Sequence, residues 1–139
     1  MTLEHRDAVA IIERVRDRLE DRNQAAAVAV CDGHGELIAF LRTDGCRLPS
    51  IDVAMNKAFT APRQRTPSKE LGESAASGQF FVSNYGGLRY LGWGGGVPIV
   101  HDDEVIGAVG VSGLRQHEAI EYAELGASMV TEFAGTETT

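Results

Sequence analysis

Little in the chain marks a secreted scaffold, a membrane span or a nucleic-acid binder. Only Cys31 and Cys46 are cysteines among 139 residues, too few for a disulfide framework, and in a reducing compartment they read as free thiols. No apolar run approaches the roughly 20 residues that cross a bilayer. The polar start, residues 1–7, has no signal-peptide pattern, so the expected location is cytoplasmic. Positive charge is in deficit: 13 Lys and Arg against 20 Asp and Glu give a net −7. That excludes the basic footprint that nucleic acid or an anionic membrane requires and favours a neutral or cationic partner. No internal repeat, low-complexity tract or linker divides the sequence. With 43% hydrophobic residues the length suffices for one core, so a single domain is expected over 1–134 and a flexible polar tail over 135–139.

Glycine is what the chain does have. Gly94, Gly95 and Gly96 stand in a row, where the backbone is free to take positive φ and to approach another group closely. After them come a short strand, a polar hairpin loop and a second strand. The second strand alternates Val105, Gly107, Val109 and Val111 with Ile106, Ala108, Gly110 and Ser112. Apolar on both faces, it predicts a sheet covered on both sides. Residues 107–113 superficially resemble a dinucleotide fingerprint, but they lie inside a strand and lack the helix N-terminus that would hold pyrophosphate.

In chain order, Ala8, Ile11, Ile12, Val15 and Leu19 recur at helical spacing and predict an opening helix of about twenty residues, with Thr2 at its cap. Residues 25–31 read as a covered strand, residues 32–35 as a turn and residues 37–42 as the returning strand. Ser50 is placed to cap a second helix whose stripe is Ile51, Ala54, Met55, Ala58 and Phe59, about 130° from Lys57. Lys57 is therefore expected to face away from its own core. Pro62 and Pro67 interrupt the run, and a short helix follows to about residue 76. Residues 77–87 form a loop with aromatic anchors, one reading of which is a lid. A last helix is expected over residues 116–133. Two hairpins among helices predict a mainly antiparallel sheet.

Four pieces of the sequence, in this order and spacing, resemble the GlcG/HbpS-like (heme-degrading) family, which includes the C-terminal domain of PduO-type proteins. They are residues 32–37 with 42–45 (DGHGEL, RTDG), 57–61 (KAFTA), 95–99 (GGVPI) and 106–113 (IGAVGVSG). The resemblance covers nearly the whole chain. It implies a profilin-like α/β (α+β) fold: a mainly antiparallel five-stranded sheet with helices on both faces. It also implies homo-oligomers and, in some members, bound heme.

Candidate site residues follow. His34 and His101 each sit in a hairpin loop, and imidazole is the side chain suited to bind a metal or move a proton near neutral pH. On the resemblance, His34 is the candidate metal ligand. Lys57 and Arg42 are candidates for pairing with carboxylates such as heme propionates. Gly95, Gly96, Val97 and Pro98 would form a rigid wall with free backbone amides, and Trp93 and Tyr90 would either stack on a flat ligand or belong to the core. Each residue also has a plainer role open to it: a solvated histidine, a solvated helix face, a structural arginine or tight sheet packing. No Ser-His-Asp set, carboxylate pair or metal-binding spacing is present. Three functions remain open: a small-ligand binder of the heme type with its pocket near residues 94–98 and Lys57, a cofactor-independent enzyme acting on a small acidic or aromatic metabolite with Lys57 and His34 as acid and base, and a non-catalytic oligomeric accessory protein.

Overall fold

A computed structural model describes residues 1–78 and 80–136, the side chains of 135 and 136 excepted. The elements are α1 (His5–Asp21), β1 (Ala27–Asp32), β2 (Leu37–Arg42), α2 (Pro49–Gln64), α3 (Ser68–Ala76), a 3₁₀ turn (Val82–Tyr85), β3 (Gly96–His101), β4 (Glu104–Ser112), α4 (Gln116–Ala127) and α5 (Val130–Thr136). Both hairpins are present. Their inner strands, β1 and β4, pair antiparallel along their length from Ala27↔Ser112 to Asp32↔Gly107, which gives the order β2-β1-β4-β3.

The sheet thus has four strands among the described residues, not the five expected. Residues 77–95 do not add one. They carry positive φ at Gly78, Gly86 and Gly95 and no apolar alternation, and their regular piece is the 3₁₀ turn. Three other boundaries differ. The cap of α1 is Glu4, whose N–H donates to the Asp7 carboxylate at 3.0 Å, rather than Thr2. Helix α2 starts at Pro49, before Ser50, and continues through Pro62 to Gln64; a proline so near the end disturbs only the last turn. The last helix is two, α4 and α5, parted at Ser128 and Met129. Of the expected tail, 135 and 136 belong to α5 and 137–139 lie outside the described residues.

The two faces of the sheet are built from side chains of different size. On one, Val28, Val30, Val109 and Val111 meet Ile11, Val15 and Leu19 of α1 and Tyr122 of α4 in the larger core. On the other, Ala27, Ala29, Cys31 and Ala108 meet Ala54, Ala58 and Ala61 of α2. With so little side chain between them, the α2 backbone lies directly on the strands. A Cβ on Gly110 would stand 2.2 Å from the Ala54 carbonyl oxygen, and one on Gly96 2.4 Å from that of Lys57. These positions admit glycine alone because the helix is already there.

Candidate ligand-binding site

Helix α2 positions Lys57 at one end of the sheet. The side chain is 5% exposed, and its Nζ donates to the Val111 carbonyl oxygen at 2.9 Å. The same carbonyl lies beside Gly95, held at φ +123°, where an added Cβ would be 3.0 Å from Nζ. Burial alone pulls the amine down from its ordinary value to about 8, and no carboxylate pairs with it among the described residues. This corrects the expectation that Lys57 turns from its own core. The helix is covered on a second side by residues 89–95: the Thr60 hydroxyl, which donates to the Asn56 carbonyl at 2.8 Å, lies 3.3 Å from the Arg89 carbonyl and accepts from the Leu91 N–H at 3.2 Å. The buried arc is therefore wider than the stripe that periodicity picks out.

The residue 94–98 turn is filled. Gly94 N–H donates to Gln116 Oε1 at 2.9 Å, Gly96 N–H to Ser68 Oγ at 2.9 Å, and the Gly95 carbonyl accepts from Val111 N–H. Val97 and Pro98 lie in β3, paired with Val109 and Ala108. Beside the turn is a shallow groove of about 490 Å³ lined by Lys69, Gly72, Gly92, Trp93 and Gln116. Neither Lys57 nor Gly95, Gly96, Val97 or Pro98 is among the lining residues. Trp93 is 66% exposed and so is no core residue.

Arg42 and His34 lie at opposite ends of β2. Arg42 is exposed beside Ala27, whereas His34 occupies the turn past Asp32, at the end of the sheet that holds Gly107. Lys57 sits at the Val111 end, four residues along β4 from Gly107, or about 13 Å. The structure brings none of the three together.

What it assembles instead surrounds His34. A cleft of about 1120 Å³ is lined by His34, Arg63, Arg65, Tyr90, Asp103 and Ile106, among others. Asp32 builds the histidine's turn, its Oδ1 accepting from the N–H of His34 at 2.8 Å and of Glu36 at 3.0 Å. Arg63 then fastens that turn to α2. Its Nε donates to the His34 carbonyl at 3.1 Å, its Nη1 lies 3.4 Å from the Tyr90 hydroxyl, and its guanidinium stacks over Phe59 at 4.3 Å. Arg89 covers the same ring at 4.1 Å. Arg63, Arg65 and Arg89 have no carboxylate partner among the described residues, although five other cations of this acidic chain do. The aromatic rings continue outward, Phe59 edge-on to Tyr90 and Tyr90 stacked on Tyr85 at 4.7 Å. This ties the 3₁₀ turn to the cleft wall.

Arg63 and Arg65 escaped the sequence reading. Their signal was nonetheless present: two arginines at the end of a helix with no acidic residue three or four positions away.

Residues 3–128 match the family described as "Haem degrading protein HbpS-like". The chain belongs to the HbpS-like family. This HbpS-like chain is 35% identical over 105 residues to the protein GlcG of Escherichia coli strain K12, covering 76% of this chain and 77% of GlcG. It is similar to Klebsiella pneumoniae protein ORFY, with 26% identity and a TM-score of 0.87 over 94% of this chain and 92% of that one. It also shares its fold with the PduOC:heme complex, at 22% identity and a TM-score of 0.85 over 92% of this chain and 94% of that one.

Proposed function

We propose that the protein binds a planar, carboxylate-bearing ligand of the heme type in the His34 cleft. The observation that carries this reading is the meeting of an exposed imidazole with Arg63 and Arg65, guanidinium groups that form no ion pair among the described residues although Asp32, Asp103 and Glu104 line the same cleft. The family's description points to the same ligand class.

The residues at the cleft suit such a group. His34 offers a nitrogen ligand, Arg63 and Arg65 offer charge-assisted hydrogen bonds to ligand carboxylates, and Met1, Pro62, Val105 and Ile106 offer apolar wall. A volume on the scale of ligand pockets admits it. Bound heme would supply an iron centre for redox or oxygen chemistry. The chain's own part is to hold and orient: Asp32 fixes the turn, Arg63 keeps the His34 backbone against α2, and Tyr90 presents a ring edge and a hydroxyl. The proposal moves the pocket away from residues 94–98, Lys57 and Arg42 because the turn is filled and Lys57 is sealed. We further propose, from the family resemblance, that it acts in the cytoplasm as a homo-oligomer.

Titration with hemin, followed by absorbance in the Soret region, tests it. Wild type is expected to give a shifted, saturable band. His34→Ala should alter its position and weaken binding, Arg63→Gln and Arg65→Gln should each weaken binding about tenfold, and His117→Ala on α4 should do neither. An unchanged spectrum and affinity in His34→Ala would remove the imidazole from the site.

A further inference from the structure

We propose that Tyr90 and Arg63 act as one carboxylate-binding pair, the phenol O–H and the guanidinium donating to the same ligand carboxylate, with Tyr85 holding the Tyr90 ring in place. The inference rests on the reading of the His34 cleft given above and adds what selects the ligand: a free carboxylate on the flat ring, not the ring alone.

Both side chains line the cleft, and both have donors to spare. The Tyr90 oxygen accepts from Arg63 Nη1 at 3.4 Å, while the phenol's own proton has no acceptor among the described residues. Arg63 Nε is engaged by the His34 carbonyl at 3.1 Å, and the guanidinium's remaining N–H groups are open to a ligand. A carboxylate, with two charged acceptor oxygens, suits two donors that stand this close; an ester keeps a carbonyl oxygen but loses the charge that makes such bonds strong. The other charges on the cleft favour the same place. Asp103 and Glu104 put negative charge at the β3–β4 turn, so an anion settles instead at the end of α2, beside Arg63 and Arg65.

The phenol ring is held from several sides. Phe59 meets it edge-on at 5.1 Å, and Tyr85 stacks on it at 4.7 Å with the planes 21° apart. The Tyr85 hydroxyl in turn donates to Gln64 Oε1 at 3.1 Å. Gln64 follows Arg63 in α2, so the 3₁₀ turn is fastened to the same helical turn that supplies the guanidinium. A donor pair fixed in this way before the ligand arrives gives up little freedom on binding it. The chain has three tyrosines, and the third supplies a control: Tyr122 is buried on α4, its hydroxyl bonded to Gln24.

Titration with hemin and with hemin dimethyl ester, under one set of buffer conditions, isolates the pair, because ring, iron and His34 are common to both and cancel in the ratio of the two Kd values. Wild type should prefer hemin about tenfold or more. Tyr90→Phe keeps the ring contacts; it should cut that preference about fivefold and leave the Kd for the ester within about twofold of wild type. In an Arg63→Gln background Tyr90→Phe should have little preference left to remove, since the two donors share one acceptor. Tyr85→Ala should lose part of the preference and Tyr85→Phe, which retains the stack, should keep it, as a positioning residue requires; Tyr122→Phe should leave the ratio unchanged. A wild type that takes up neither compound overturns the cleft reading and this inference with it. Saturable hemin binding in which Tyr90→Phe keeps the wild-type preference, or weakens both compounds equally, overturns the pair alone.

Discussion

Lys57 Nζ stands 2.9 Å from the carbonyl oxygen of Val111, so a lysine amine from α2 closes the end of the β3–β4 ladder. The bond supplies one acceptor to an ammonium with three donors, and burial holds the amine at about 8. The unfolded chain therefore binds this proton more tightly than the folded one between about pH 8 and the ordinary lysine value. In that window stability due to Lys57 rises with pH. Below it, burial of the charge costs about 3 kcal/mol in full. Lys57→Met keeps the length and removes the charge. Its stability relative to wild type, from urea denaturation, should fall by about 1 kcal/mol between pH 7 and pH 9. A pH-independent difference would mean that the amine is solvated.

The close seating of α2 makes a prediction about glycine. Gly110→Ala and Gly96→Ala drive a methyl group into helix backbone that cannot yield, and each should cost about 3 kcal/mol or more. Gly87→Ala is the control. It lies in the same half of the chain, with its nearest outside atom 3.9 Å away and no positive φ. It should shift the melting temperature by no more than a degree or two, about 0.5 kcal/mol or less. Comparable losses at all three positions would remove the packing account.

The same contrast explains what the sequence could and could not reveal. Strand β2 and the β3–β4 hairpin were legible because alternation and turn residues are local. So was the stripe of α1. That β1 and β4 would be neighbours was not, since no local pattern encodes pairing across some eighty residues. Glycine in a row signals close approach, but not what approaches: at residues 94–96 it is Gln116, Lys57 and α2 itself, where a ligand was expected. Lys57 was read from one helical face, and the loop that buries its other face has no periodicity. His34 was singled out because it lies in a stretch that resembles the family, and the structure places it on the wall of the cleft. Arg63 and Arg65 were missed because their partners, the His34 carbonyl and the Tyr90 hydroxyl, are distant in sequence.

Asp32 offers a test of how the turn presents His34. Asp32→Ala removes the acceptor of two backbone N–H groups, and thermal denaturation should show a loss of about 1–2 kcal/mol. Hemin affinity should fall as well, although the imidazole itself is untouched. Asp32→Asn keeps an acceptor oxygen in the same place and should recover most of both. If Asp32→Ala lowers stability and leaves hemin affinity at the wild-type value, the turn is structural and His34 does not depend on it.

The two thiols should separate cleanly under a disulfide reagent. Cys31 is buried on β1, its Sγ donates to the Ala58 carbonyl at 2.9 Å, and burial pushes the thiol up to about 12. At pH 8 that leaves about one thiolate in ten thousand, behind a helix packed on alanines. Cys46 is partly exposed in the connector before α2, and burial raises its thiol too, but no helix packs over it as α2 does over Cys31. Folded protein should therefore release about one equivalent of thionitrobenzoate, assigned to Cys46 by its loss in Cys46→Ser. The second equivalent should appear only on unfolding in denaturant. Because the raised thiol stays protonated in the fold while the unfolded chain ionises from about pH 9, Cys31 also takes stability away as pH climbs from 9 toward 12, against the gain from Lys57. Cys31→Ala should flatten that alkaline loss. Two rapid equivalents from the folded chain would show that α2 does not seal the alanine face of the sheet.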